Sequence, residues 1–107
     1  MTNNTNFLVL ESKIVDVLKT IFDPEIPVNI YELGLIYEIK VDQQHVAHIK
    51  MTVTSPNCPV AETLPNEVKD AVNKIEELND VNIVLTFDPP WQQDMMSEAA
   101  KLELGFL

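Results

Sequence analysis

One cysteine, two histidines and no arginine leave this 107-residue chain few side chains suited to chemistry, and Cys58 stands first among them. The stretch Thr54-Ser55-Pro56-Asn57-Cys58-Pro59 breaks a strand pattern and turns straight into a helical one, since proline suits the first turn of a helix. A sulfur at that helix entrance is favoured as thiolate by roughly 0.3 to 1 kcal/mol, which is under one pKa unit. The chain's own negative charge works against the shift, so the thiol is modestly activated at best. Position alone leaves two readings open: a reactive or ligating thiolate, or a buried free cysteine that behaves as a small apolar residue.

The remaining candidates are weaker. His45 and His48 are three apart on a predicted strand, where alternation sends them to opposite faces, so they do not chelate one metal together without a bulge. They read as surface histidines, and a Cys-His-Asp triad requires the fold to carry His48 to Cys58. Asp23 and Glu25 flank Pro24 in a rigid turn, where their carboxylates either cap the loop or do chemistry. Trp91, after Pro89 and Pro90, is either a lid over the core or an exposed recognition aromatic. Met95 and Met96 read as helix packing. Two glycines, Gly34 and Gly105, are too few for a phosphate-cradling loop or a dinucleotide fingerprint.

Composition narrows the class. The length suits one domain, 1–107, and 46% apolar with 22% charged residues is ordinary for a globular chain. Seventeen acidic residues against seven lysines give a net charge of −10, which disfavours nucleic acid and anionic membranes as partners. That acidity is either a solvated surface or selection for a charged partner. No run is long enough to span a membrane, no leader is evident, and a lone cysteine forms no intrachain disulfide, so the chain is expected in the cytoplasm.

These residues need a scaffold, and periodicity supplies one. Residues 1–6 are polar and predicted to fray; from Phe7, Leu10, Ile14, Val17, Leu18 and Ile21 mark one face of a helix ending near Phe22. Pro24 and Pro27 then impose a loop to Gly34. Leu35 to Val41 and His45 to Thr54 alternate as an antiparallel hairpin, with Ala47, Ile49, Met51 and Val53 inward and His48, Lys50, Thr52 and Thr54 outward. A second helix is predicted from Cys58-Pro59 to about Leu78, with Ala61, Leu64, Val68, Val72, Ile75 and Leu78 facing the core; Pro65 either kinks it or marks a later start. Val81 to Phe87 alternates as a third strand, and a last helix covers Asp94 to about Leu104, closed by Gly105. The order α-β-β-α-β-α predicts a two-layer α+β domain, a three-stranded mainly antiparallel sheet with helices on one face. An open sheet face or edge predicts a homodimer.

Four segments in order carry a resemblance: Asp23-Pro24-Glu25; Asn29-Ile30-Tyr31-Glu32-Leu33-Gly34-Leu35-Ile36; Met51-Thr52-Val53-Thr54 leading to Cys58-Pro59; and Leu85-Thr86-Phe87-Asp88-Pro89-Pro90-Trp91. Together, from about Ile14 to the end, they resemble the SufT and PaaD-like family of metal–sulfur cluster biosynthesis proteins. The PaaD branch carries extra cysteines near its carboxy terminus, and this chain has none after Cys58, so the resemblance is to the Suf-type branch. It implies a non-enzymatic accessory role in maturing iron–sulfur proteins, with Suf-system assembly proteins and apo client proteins as partners. The family's motif cysteine falls on Cys58 and its acidic turn on Asp23 and Glu25; Thr54 and Trp91 lie in the motifs and are further functional candidates.

A cluster normally takes four protein thiolates or near equivalents, and this chain has one. A labile cluster is then either bridged by two Cys58 thiolates of a dimer with small-molecule thiols, or shared with a partner; otherwise the protein is an adaptor that never touches iron. Two further classes stay open: a thiol enzyme with Cys58 as nucleophile, which needs a base within hydrogen-bond reach, and a purely structural interaction module.

Overall fold

The three-and-four spacing of Leu10, Ile14, Leu18 and Ile21 does place those side chains in the core, all of them buried. They lie on and just after helix α1, Thr2–Leu18, in a computed structural model that describes residues 2–23, 26–54 and 60–105. The helix starts earlier than periodicity predicts, since the polar residues 2–6 are helical and not a frayed tail. Asn and Thr are poor helix formers, but each residue added to an existing helix costs far less than its first turn. It also ends sooner, at Leu18 and not Phe22. There the backbone tightens, with Thr20 and Ile21 donating to the carbonyls of Val17 and Leu18 at 3.0 and 3.2 Å, three residues back.

Strands β1, Ile36–Val41, and β2, Val46–Met51, form the predicted antiparallel hairpin. Its turn is tied by Asp42, whose Oδ1 accepts from the Gln44 and Val46 N–H groups at 2.9 and 3.0 Å. Helix α2, Val60–Val72, carries Pro65 inside it, so the proline is accommodated rather than marking the start. The helix stops at Val72 where Leu78 was predicted, because Lys74 and Ile75 donate three residues back to Ala71 and Val72. Leu64, Val68, Val72 and Leu78 are buried and Ile75 packs against them, while the Ala61 side chain lies outside the described ones.

Strand β3, Asp80–Leu85, departs from the mainly antiparallel expectation: it runs parallel to β2, Ile49 opposite Ile83, in a mixed sheet of order β1-β2-β3. The cause is α2, since a strand that returns after a helical crossover re-enters the sheet in the same direction. The chain ends in a 3-10 turn, Gln93–Met95, and helix α3, Glu98–Glu103, where Ser97 Oγ caps the Ala100 N–H at 3.1 Å. Gly105 closes it with φ of 83°.

The fold is thus α+β in the predicted order, with Val41, Ala47, Ile49, Met51 and Val81 buried on the sheet's inner face. On the other face, rows Lys40, His48, Asn82 and Glu38, Lys50, Val84 are exposed or half-buried. Among the described residues no helix is long and apolar enough to cross a membrane.

Candidate functional site

Because β2 and β3 are parallel, the loops that leave their carboxyl ends, after Met51 and after Leu85, emerge at the same end of the sheet. In open sheets built from such units this is where ligands are held. The first loop leads through Thr54, half-buried, to α2 at Val60. Cys58, the principal candidate, and Glu25 both lie outside the described residues, as do residues 55–57.

What the structure resolves is the frame around that loop. Thr52 N–H donates to the Leu35 carbonyl and Thr86 N–H to the Met51 carbonyl, at 2.8 and 2.9 Å, so the two strand exits are stitched to their neighbours. Thr52 was predicted to face outward and is instead 1% exposed. Strand geometry ends at Met51, and an extra residue in β1 between Ile36 and Glu38, Tyr37, brings its phenol towards the Thr52 hydroxyl.

The segment from Asn29 to Leu35 forms a compact turn against the same end. Asn29 Oδ1 accepts from Glu32 N–H at 2.9 Å, and Leu35 N–H donates to the Ile30 carbonyl at 3.2 Å. Gly34 adopts φ of 84°, and a Cβ there would collide with the Met95 carbonyl, so glycine is required twice over. Trp91 closes the turn from above: its Nε1–H donates to the Leu33 carbonyl at 2.6 Å and its ring packs on the core. Trp91 is half-buried. Ser97 N–H adds a bond to the Glu32 carbonyl at 2.8 Å.

Asp23 is buried, 4% exposed, and Oδ1 accepts from Ile26 N–H at 3.1 Å while its own N–H donates to Val28 at 3.4 Å. Its carboxylate is thus bonded to backbone just ahead of this segment. Asp23 and Trp91 bind backbone on either side of the Asn29–Leu35 turn, which Thr52 then bonds to the loop of Thr54.

Beside this frame opens a cleft of about 570 Å³ lined by Ile36, Tyr37, Lys50, Asp88, Pro89 and Met95 among others. The Tyr37 hydroxyl donates to the Pro89 carbonyl at 2.7 Å, and Met95 sulfur lies 3.7 Å away. Partial burial raises the Tyr37 pKa above the ordinary tyrosine range; the Thr52 bond opposes the rise and the Asp88 charge adds to it. The phenol is neutral, a donor. Tyr37 escaped sequence reasoning because a bulge leaves no trace in an alternating pattern; Gly34, one of only two glycines, was the legible signal.

The histidines sit at the opposite, hairpin end. His45, with φ of 61°, donates from Nδ1 to the Glu77 carbonyl at 3.1 Å and meets Phe7 edge-on at 6.0 Å between ring centres. His48 Nε2 lies 2.9 Å from Asp42 Oδ2 on the open face. That bond, with the Val46 and Gln44 amides, holds the Asp42 carboxyl below the usual carboxylate range. Among the described residues no cluster of three His, Cys, Asp or Glu is placed to hold a metal ion.

The profile of the family described as iron-sulfur cluster assembly protein matches residues 11–85. A Porphyromonas gingivalis Fe-S protein maturation auxiliary factor is 49% identical over 97% of this chain and 99% of its own length. The Staphylococcus aureus Fe-S protein maturation auxiliary factor SufT is 39% identical over 79% of this chain and 97% of itself. Among solved structures, a domain of unknown function from Bacillus anthracis superposes with a TM-score of 0.87 at 33% identity, covering 97% of this chain and 99% of that one. A family profile spanning most of the chain and a relative 49% identical over nearly the whole of both chains show the family: the chain belongs to the iron-sulfur cluster assembly protein family.

Proposed function

We propose that this protein is an accessory factor in the maturation of iron–sulfur proteins, meeting assembly proteins and apo clients, and that Cys58 binds the cluster in passing. The observation that carries the reading is the bonded frame of the Asn29–Leu35 turn, Thr52, Thr86 and Trp91. It fixes the exits of two parallel strands at their carboxyl ends, and the chain's one thiol follows the first of these exits in sequence. Support from relatives is direct in name: two bacterial relatives are called Fe-S protein maturation auxiliary factors, and a Mycobacterium tuberculosis neighbour, TM-score 0.51 at 28% identity, is described as associated with Fe-S complex assembly and repair.

The cluster is cargo in this reading, not a resident cofactor. One thiolate per chain supplies one of the roughly four ligands that a cluster takes, so the others come from the protein that delivers it or the one that receives it. Transfer then proceeds by ligand exchange at iron: the Cys58 thiolate replaces a donor ligand, having released its proton, and is itself replaced by a client thiolate. No electrons move, and single-ligand attachment keeps release fast. The fixed frame supplies orientation, which fits an auxiliary and non-catalytic part.

Anaerobic reconstitution with iron and sulfide tests it. Wild type mixed with an apo client should accelerate the appearance of the client's cluster absorption, and Cys58→Ser should not. Equal acceleration by both proteins would remove the thiol from the mechanism and leave an adaptor.

A further inference from the structure

The two edges of the sheet are built differently. Strand β1 carries Glu38 and Lys40 and the bulge at Tyr37, all devices that keep an edge from pairing. Strand β3 carries one charge, Asp80 at its first position, and beyond it Val81 to Phe87 reads Val-Asn-Ile-Val-Leu-Thr-Phe, without charge, proline or bulge, in a chain of net charge −10. Among the described residues no strand lies beyond it. Thr86 N–H points inward, to Met51, and alternation along the strand turns the backbone groups of Val81, Ile83 and Leu85 to the free edge. Asp80 Oδ1 already accepts from Val81 N–H at 2.8 Å, which leaves the Ile83 and Leu85 amides facing outward.

We propose that β3 is a self-association edge through which two copies of this chain pair antiparallel into one continuous sheet. The second copy is the occupant because the strand complements itself about Ile83. With Ile83 opposite its own copy, Val81 meets Leu85, Asn82 meets Val84 and Asp80 meets Thr86. Outward amides and carbonyls then face one another, inner-face side chains meet only apolar ones, and the single acid meets a hydroxyl, not another carboxylate. The two-fold axis points the carboxyl ends of β2 in opposite directions, so each copy keeps its own Cys58 loop. The inference is independent of the cluster role and fails or stands separately from it.

Sedimentation velocity of the full chain, over a series reaching about 1 mM, should show mass rising from monomer to dimer. Asn82→Lys with Val84→Lys places ammonium groups opposite one another in this register and should abolish the dimer, although it lowers the chain's overall negative charge. Asn82→Glu with Val84→Lys places unlike charges opposite and should restore it. Both positions are exposed, so the monomer fold tolerates either pair. A wild type that stays monomeric throughout, a dimer that survives the lysine pair, or identical behaviour of the two charge variants would overturn the proposal.

Discussion

The two ends of the sheet are held by opposite means. At the hairpin end the ties are ionisable: Asp42 accepts from two amides and pairs with His48, His45 bonds the Glu77 carbonyl, and Glu77 itself pairs with Lys13. At the loop end most ties are neutral and steric: Gly34 against the Met95 carbonyl, Trp91 on Leu33, Tyr37 on Pro89, Ser97 on Glu32. Both histidines are thus used for structure at the hairpin end. At the loop end one tie is ionisable, the buried carboxylate of Asp23 on the Ile26 amide, while those of Trp91, Tyr37 and Ser97 are neutral.

Substitutions at the two ends should therefore differ in size and in pH dependence. The largest effect belongs to Gly34→Ala, which combines a left-handed backbone with a collision; a loss of about 3 kcal/mol, or a Tm lower by roughly 12 to 20 °C, is expected in a thermal melt. A Tm within a few degrees of wild type would mean that the Met95 backbone yields freely. Trp91→Phe keeps an aromatic ring but strands the Leu33 carbonyl, and urea titration should show a loss of about 1 to 2 kcal/mol.

Tyr37→Phe should cost about 1 kcal/mol at neutral pH through the lost bond to Pro89. Because the folded state raises the Tyr37 pKa, its contribution is complete below the ordinary tyrosine value of about 10 and lost as pH rises through the higher folded value. Wild type should thus lose stability faster than the variant between those two values. A parallel decline of the two proteins would contradict the placement of the phenol.

The smallest effect lies at the hairpin end. Asp42 has a lowered folded pKa, so its contribution is present above the ordinary aspartate value and lost as pH falls through the lower one. Asp42→Asn should lower the urea midpoint slightly at pH 7 and flatten the acid limb below about pH 4, where the two proteins converge. Exposure and solvent screening keep this effect small.

Much of the scaffold was legible because its signals are local. Periods of 3.6 and 2 identified the α-helices and strands of the described residues and most of the core, from Leu10 and Ile14 to Val68 and Val81, but not Val28, Ile30 and Leu33, which are buried in a loop without a period. The direction of β3 was not, since parallel or antiparallel pairing is decided by how α2 spans the sheet and not by the strand's own residues. Helix ends were missed where backbone tightening, after Leu18 and Val72, replaces a sequence-coded cap. Asp23 and Trp91 were legible as candidates, yet their roles depend on partners far off in sequence or on a loop conformation: Leu33 for Trp91, the Ile26 amide for Asp23. Thr52 and Tyr37 were hidden by one bulge.

The central claim is that a single thiol, Cys58, takes part in delivering clusters. In cells deleted for this gene and grown under high demand for iron–sulfur enzymes, the activity of a cluster-dependent dehydratase should be restored by wild type and not by Cys58→Ser expressed at equal level. Full restoration by the serine variant would contradict it.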